Sequence, residues 1–181
     1  MKIRILVILI FFLFGTLVFG GNFRIEAVGY YFQPSEKAFK DIYGSGITYG
    51  GEIGLNLWKG IGIWAGGDYY TNKGKSTFTK EDIEIQLFPL YGGIKIQLPK
   101  SSIRPYAGFG VGYFQYIETT PFGTVEKGDI GYIGQVGCMF KIGGALFFDI
   151  KGSYSYCKVK PVDIEADIGG LKAGIGLGFE F

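Results

Sequence analysis

Histidine is absent from this sequence, and cysteine, methionine and tryptophan occur only twice each. Without His, neutral-pH acid–base chemistry loses its commonest residue. Two thiols without His are also too few ligands for a usual zinc-type site. Excess charge of one sign is missing too, with 18 Lys plus Arg against 16 Asp plus Glu. That balance lacks the basic patch nucleic-acid binding usually needs, so no nucleic-acid partner is expected. Proline is limited to six residues.

Glycine is abundant instead, at 32 residues, over twice the usual share of ~7%. There are 17 Phe and 13 Tyr. Gly weakens helix interiors and aromatics suit strands, so the composition favours β structure. A hydrophobic share of 48% is too high for a disordered chain.

Residues 1–20 read as a signal peptide: Lys2 and Arg4, an apolar run from Ile5 to Phe14, then small residues near Gly20. Cleavage after Gly20 places Val18 at −3 and leaves a domain of residues 21–181. The alternative is a retained anchor, since the run approaches spanning length. No Cys lies near the cleavage point to carry a lipid.

The remainder repeats one pattern, a run of about ten residues alternating apolar with polar or Gly, then a break. Eight runs are expected as strands: 23–32, 47–58, 61–70, 83–98, 104–116, 130–141, 146–157 and 168–181. The connections alternate. Trp58 to Ile61, Pro99 to Ser102 and Lys141 to Gly144 are tight, while 34–46, 71–82, 117–129 and 158–167 are longer and polar. An even strand count with short turns on one side predicts an all-β fold: an eight-stranded antiparallel up-and-down transmembrane β-barrel. The expected orientation has long loops extracellular and both termini periplasmic. In the fourth run Ile83, Ile85 and Leu87 are odd-numbered and Phe88, Leu90, Ile94 and Ile96 even. That parity change implies a bulge near Leu87 to Pro89, or else a segment projecting above the bilayer.

The face opposite the apolar one carries Arg24, Glu26, Glu52, Asp68, Lys95, Arg104, Asp149, Lys151, Lys172 and Glu180. Unpaired charges in a low-dielectric wall cost several kcal/mol or more, so these residues must face a polar interior and find partners. Eight strands leave an interior barely wide enough for its own side chains. Gly108, Gly110, Gly112, Gly174, Gly176 and Gly178 share that face, either making room for large neighbours such as Trp64, Tyr106 and Phe114 or leaving a narrow cavity. Outward Tyr31, Tyr49, Tyr69, Tyr113, Tyr132 and Tyr156 fall near the long loops, and Phe23, Phe140, Phe179 and Phe181 near the turns, as two interfacial girdles require. Cys138 and Cys157 are expected to stay unbonded, because a turn near 142–144 pairs Cys138 with a residue near Leu146 to Phe148.

Three stretches carry a family likeness: Phe88-Pro-Leu-Tyr-Gly-Gly-Ile-Lys-Ile96, Arg104-Pro-Tyr-Ala-Gly-Phe-Gly-Val-Gly-Tyr-Phe114 and the closing Gly-Ile-Gly-Leu-Gly-Phe-Glu-Phe181. On these the chain resembles the small outer-membrane β-barrels of the OmpA/OmpX type over residues 22–181. The resemblance implies that Phe179 and Phe181 form the signal read by the barrel-assembly machinery. It also implies an outer-membrane location, contact with lipid and lipopolysaccharide, and a monomer.

No enzyme is expected. Some barrels of this kind modify lipids using His with Ser or Asp. Here Ser153 and Ser155 have no His to activate them. The Gly-rich stretches alternate as strands rather than opening a helix, and no loop has regular Ca²⁺-ligand spacing, so no cofactor is expected. Two functional readings remain. One is a non-enzymatic structural or surface-interaction barrel acting through four loops. The other is a narrow, OmpW-like channel or transporter for small, apolar molecules. A soluble lipocalin-like barrel with its apolar face inward is disfavoured by Phe181 and the aromatic bands.

Overall fold

The computed structural model describes residues 23–75, 82–98, 102–160 and 166–181. The signal peptide expected at residues 1–20 lies outside them. Eight strands close into one antiparallel barrel: β1 (Phe23–Pro34), β2 (Gly46–Trp58), β3 (Ile61–Lys75), β4 (Asp82–Gln97), β5 (Ile103–Thr120), β6 (Gly123–Gly143), β7 (Leu146–Tyr156) and β10 (Gly170–Glu180). Between the last two lie the short strands β8 (Lys158–Val159) and β9 (Ala166–Asp167), which pair only with each other. A seven-residue helix, α1 (Lys37–Tyr43), follows β1.

Closure is made by β1 and β10, from Arg24↔Glu180 to Pro34↔Gly170. Phe181 N donates to Phe23 O at 2.8 Å, sealing the seam at the turn end. Every strand edge within the barrel wall is therefore paired, which lipid demands of a spanning backbone. The β2–β3 hairpin uses a two-residue turn with Lys59 at φ 42° and Gly60 at φ 91°. Two positive φ values are what a primed turn needs to match strand twist.

Alternation separates two surfaces. Ile53, Ile94, Phe109, Val136, Ile175 and Leu177 are exposed on the outer wall. Nine of the ten charged residues expected inside are buried, and Glu180 is half-buried. The Tyr residues expected at the loop-end girdle are all exposed, as are Phe179 and Phe181 at the turn end.

Four local expectations are corrected. β4 has no bulge: its pairing with β5 holds one register from Glu84↔Thr119 to Gln97↔Tyr106. The missing N–H of Pro89 leaves a gap in the β3–β4 ladder between Gly67↔Leu90 and Tyr70↔Leu87 without shifting it. Ile83, Ile85 and Leu87 point inward, because the interior turns apolar at the loop end. The stretch 117–129 is no loop but a β5–β6 ladder running to Thr120↔Gly123, with exposed Phe122 at its tip. The stretch 34–46 holds α1, ended by Gly44 at φ 74°. The β6–β7 turn sits at Gly144–Ala145, so Cys138 opposes Ile150; Cys138 and Cys157 are both free thiols.

Candidate functional site

The lumen is the candidate site, and the glycines of β10 set its geometry. Gly174, Gly176 and Gly178 put no side chain inward between β1 and β7. Their places are taken by β1 and β7 side chains: a Cβ on Gly176 would meet the Glu26 carboxyl, one on Gly174 would lie 2.5 Å from Tyr30 Cδ1, and one on Gly178 would lie 2.5 Å from Phe147 Cζ. The inward glycines thus make room for large neighbours. That bare floor lets Lys151 of β7 reach Glu26 of β1 across β10.

Three ionic layers fill the barrel from the turn end upward. In the first, Arg104 donates both Nη atoms to Glu180, at 2.7 and 2.5 Å. The planar fork makes this a bidentate pair. Arg24 donates to Gln97 Oε1 at 3.2 Å and to Met139 Sδ at 2.8 Å, and stacks over Phe147 at 5.9 Å.

The second layer centres on Lys151. Its Nζ lies 2.8 Å from Glu26, 3.2 Å from Asp149 and 3.3 Å from Glu52. Lys95 reaches Glu52 at 3.2 Å and lies over the Tyr106 ring at 4.4 Å. Tyr106 donates to Asp149 at 2.7 Å, and Tyr30 to Glu52 at 3.3 Å. In the third layer Lys172 pairs with Asp68, which also accepts from Tyr91 at 2.8 Å.

All ten expected charges therefore share one interior, but in three groups rather than one net. Tyr30, Tyr91, Gln97 and Met139 complete these layers, and nothing in the sequence marks them out from other inward residues. Their inward parity was visible; their partners, far apart in the chain, were not.

Above the ions the lumen is apolar. Phe32, Tyr70, Ile85, Leu87, Phe114 and Ile168 form one buried cluster, into which α1 inserts Phe39 and Tyr43. α1 is latched at its C-terminal end. Asn72 Nδ2 donates to Tyr43 O at 2.7 Å, and Tyr43 Oη donates to Glu118 at 2.7 Å. Tyr116 donates to the same carboxylate. Burial, then the Glu118 carboxylate, pushes the Tyr43 phenol well above its ordinary range. Between cluster and ions lies a cavity of about 10 Å³ beside Thr48, Asp68 and Lys172, space for a single water. Among the described residues no group of three or more carboxylates or thiols is placed to hold a metal ion.

At the turn end Phe179 and Phe181 stack on the outer wall, ring centres 6.4 Å apart.

The same architecture occurs in solved structures. Neisserial surface protein A matches with a TM-score of 0.70 at 14% identity, over 90% of this chain and 98% of that one. OprG from Pseudomonas aeruginosa matches at 0.65 and 14%, over 89% and 97%. Outer membrane protein W of E. coli matches at 0.52 and 17%, over 89% and 98%. At these identities the likeness is one of fold. No curated protein sequence matches the chain. The family model of the outer membrane protein β-barrel domain matches residues 18–181, so the chain belongs to that family of outer-membrane barrels.

Proposed function

We propose that the protein is a non-enzymatic surface barrel, closed to ions, that acts through what its loop end presents outside the cell. The observation that carries this is the double closure of the lumen. Lys151 fills the middle among Glu26, Glu52 and Asp149. α1 and its apolar cluster close the loop end. An eight-stranded wall has no further room for a water column. The ten lumen charges then serve structure, holding opposite walls together.

In this reading the loop end faces outward and the termini face the periplasm. The β5–β6 hairpin, with exposed Phe122 at its tip, is a projecting contact surface. Lipopolysaccharide surrounds the loop-end girdle, Phe179 and Phe181 are read by the barrel-assembly machinery, and the barrel is a monomer. Absence of enzymatic activity is supported by the lack of His and by the engagement of the inward carboxylates with Lys, Arg or Tyr.

The test is conductance in planar bilayers, paired with protease access to the β5–β6 hairpin in whole cells. No steady single-channel steps and cleavage from outside are expected. Large, stable steps overturn the closed lumen; hairpin protection in intact cells overturns the orientation.

A second reading, a narrow path for small apolar molecules, is favoured by the apolar lining beneath α1. It requires α1 to swing away and a route past Lys172–Asp68. Slower uptake of an apolar solute after gene deletion would support it, and unchanged uptake across a solute panel would remove it.

A further inference from the structure

The outer wall is not uniformly convex. At the turn end of β1, β2 and β3 it carries a groove of about 260 Å³. Phe23, Leu55 and Ile63 form its lower wall and Ile53 its side. These residues stand directly across from one another, Phe23↔Leu55 and Leu55↔Ile63. Depth comes from Ala65, which opposes Ile53 with only a methyl group and uncovers the backbone of the Gly54↔Trp64 pair as a floor.

Just below lies the β2–β3 turn. A register shift between Asn56 and Trp58 turns Trp58 outward, where it is 65% exposed. Alternation alone would put this even-numbered residue inside. Lys59 Nζ sits 5.0 Å over the Trp58 ring. Leu55 and Lys59 are four residues apart, at most about 13 Å of chain across the register shift and into the turn. That spacing suits one amphiphile, with a chain in the groove and a head at the turn. Among the described residues, the exposed charged side chains at this end are Lys59 and Lys141, both basic.

We propose that this groove and the Trp58–Lys59 turn form a site for one anionic phospholipid of the leaflet on the turn side. The acyl chain lies against Ala65, and the phosphate meets Lys59 beside the Trp58 indole. An apolar groove cannot by itself select a lipid, because bilayer chains are as apolar as its walls. Selection falls to the headgroup, through the Lys59 charge and the interfacial indole. The inference rests on the barrel's embedding in lipid and is independent of whether the lumen conducts.

The test uses Trp58 as its own reporter. The chain has two tryptophans, and Trp64→Phe leaves Trp58 alone on the outer wall. The protein is reconstituted in phosphatidylcholine with increasing dibrominated phosphatidylglycerol, or with dibrominated phosphatidylcholine as reference. Quenching should show a preference for phosphatidylglycerol of roughly fivefold, the value of one near-surface lysine. Lys59→Gln should abolish that preference, and Lys141→Gln should leave it unchanged. Native mass spectrometry of the detergent-extracted wild type reads the same site without Trp64→Phe. One phosphatidylglycerol should stay bound, and Ala65→Leu, which fills the groove, should release it. Equal quenching by the two lipids overturns the proposal. So does a preference that survives Lys59→Gln or falls equally with Lys141→Gln, or lipid retention indifferent to Ala65→Leu.

Discussion

Glu26 and Glu52 stand directly opposite each other on β1 and β2, two carboxylates on one inward face. Like charges so placed destabilise a sheet unless something lies between them. Lys151, from β7, lies 2.8 Å from one and 3.3 Å from the other. The barrel is thus tied across its interior, not only around its circumference.

Lys151→Met removes that tie and leaves Glu26, Glu52 and Asp149 crowded with Lys95 as the remaining nearby cation. Breaking a buried pair by deleting one partner costs ~3–5 kcal/mol. The urea midpoint in lipid vesicles should fall, and the folded band on unheated gels should weaken. Adding Glu26→Gln to Lys151→Met should recover part of the loss, because it removes one unpaired charge.

Inward Gly178 and outward Gly29 differ in the room around them. A Cβ on Gly178 would sit 2.5 Å from Phe147 Cζ, whereas one on Gly29 meets nothing within 4 Å. Gly178→Ala should cost ~1–3 kcal/mol through overpacking. Gly29→Ala, on the outer wall, should stay within ~0.5 kcal/mol of wild type. Urea unfolding of the two variants side by side checks this.

Much of this was legible in the sequence because a barrel wall asks one question of each residue, lipid or lumen. Odd-numbered Ile53 and Phe109 answered it by type alone, as did Glu52 and Lys151. The rule failed where the lumen itself changes character. By residue type Ile83, Ile85 and Leu87 look like a break in the alternation, yet they are inward residues of an apolar storey. α1 was hidden because its short stretch looks like any polar loop until Phe39 and Tyr43 find the barrel mouth. The β5–β6 extension was hidden by Glu118, Glu126, Lys127 and Asp129, which suit an exposed ladder as well as a loop. Which acid meets which base was out of reach, since Lys151 and Glu26 are brought together only by closure of β1 on β10.

The α1 latch gives a pH dependence. Tyr43 holds its proton more tightly when docked against Glu118 than when free. Its contribution is therefore complete below the ordinary phenol value near 10 and is lost as pH rises beyond that. Tyr43→Phe should remove it at neutral pH, at about 1.5 kcal/mol, the low end for a bond to a charged acceptor. Hydrogen exchange at the Lys40 and Gly44 amides, which close the helix onto Glu36 O and Lys40 O, should then quicken by about tenfold.

The sidedness of the wall is tested most directly by spin labels at Ile53→Cys, Phe109→Cys and Leu177→Cys, each with Cys138→Ser, in lipid bilayers. All three positions are exposed on the outer wall. Collision with dissolved oxygen should be frequent, and collision with a water-soluble nickel chelate nearly absent. Ready access of the chelate to these sites, with little oxygen contact, would mean that the apolar face lines water and that the barrel is inside out.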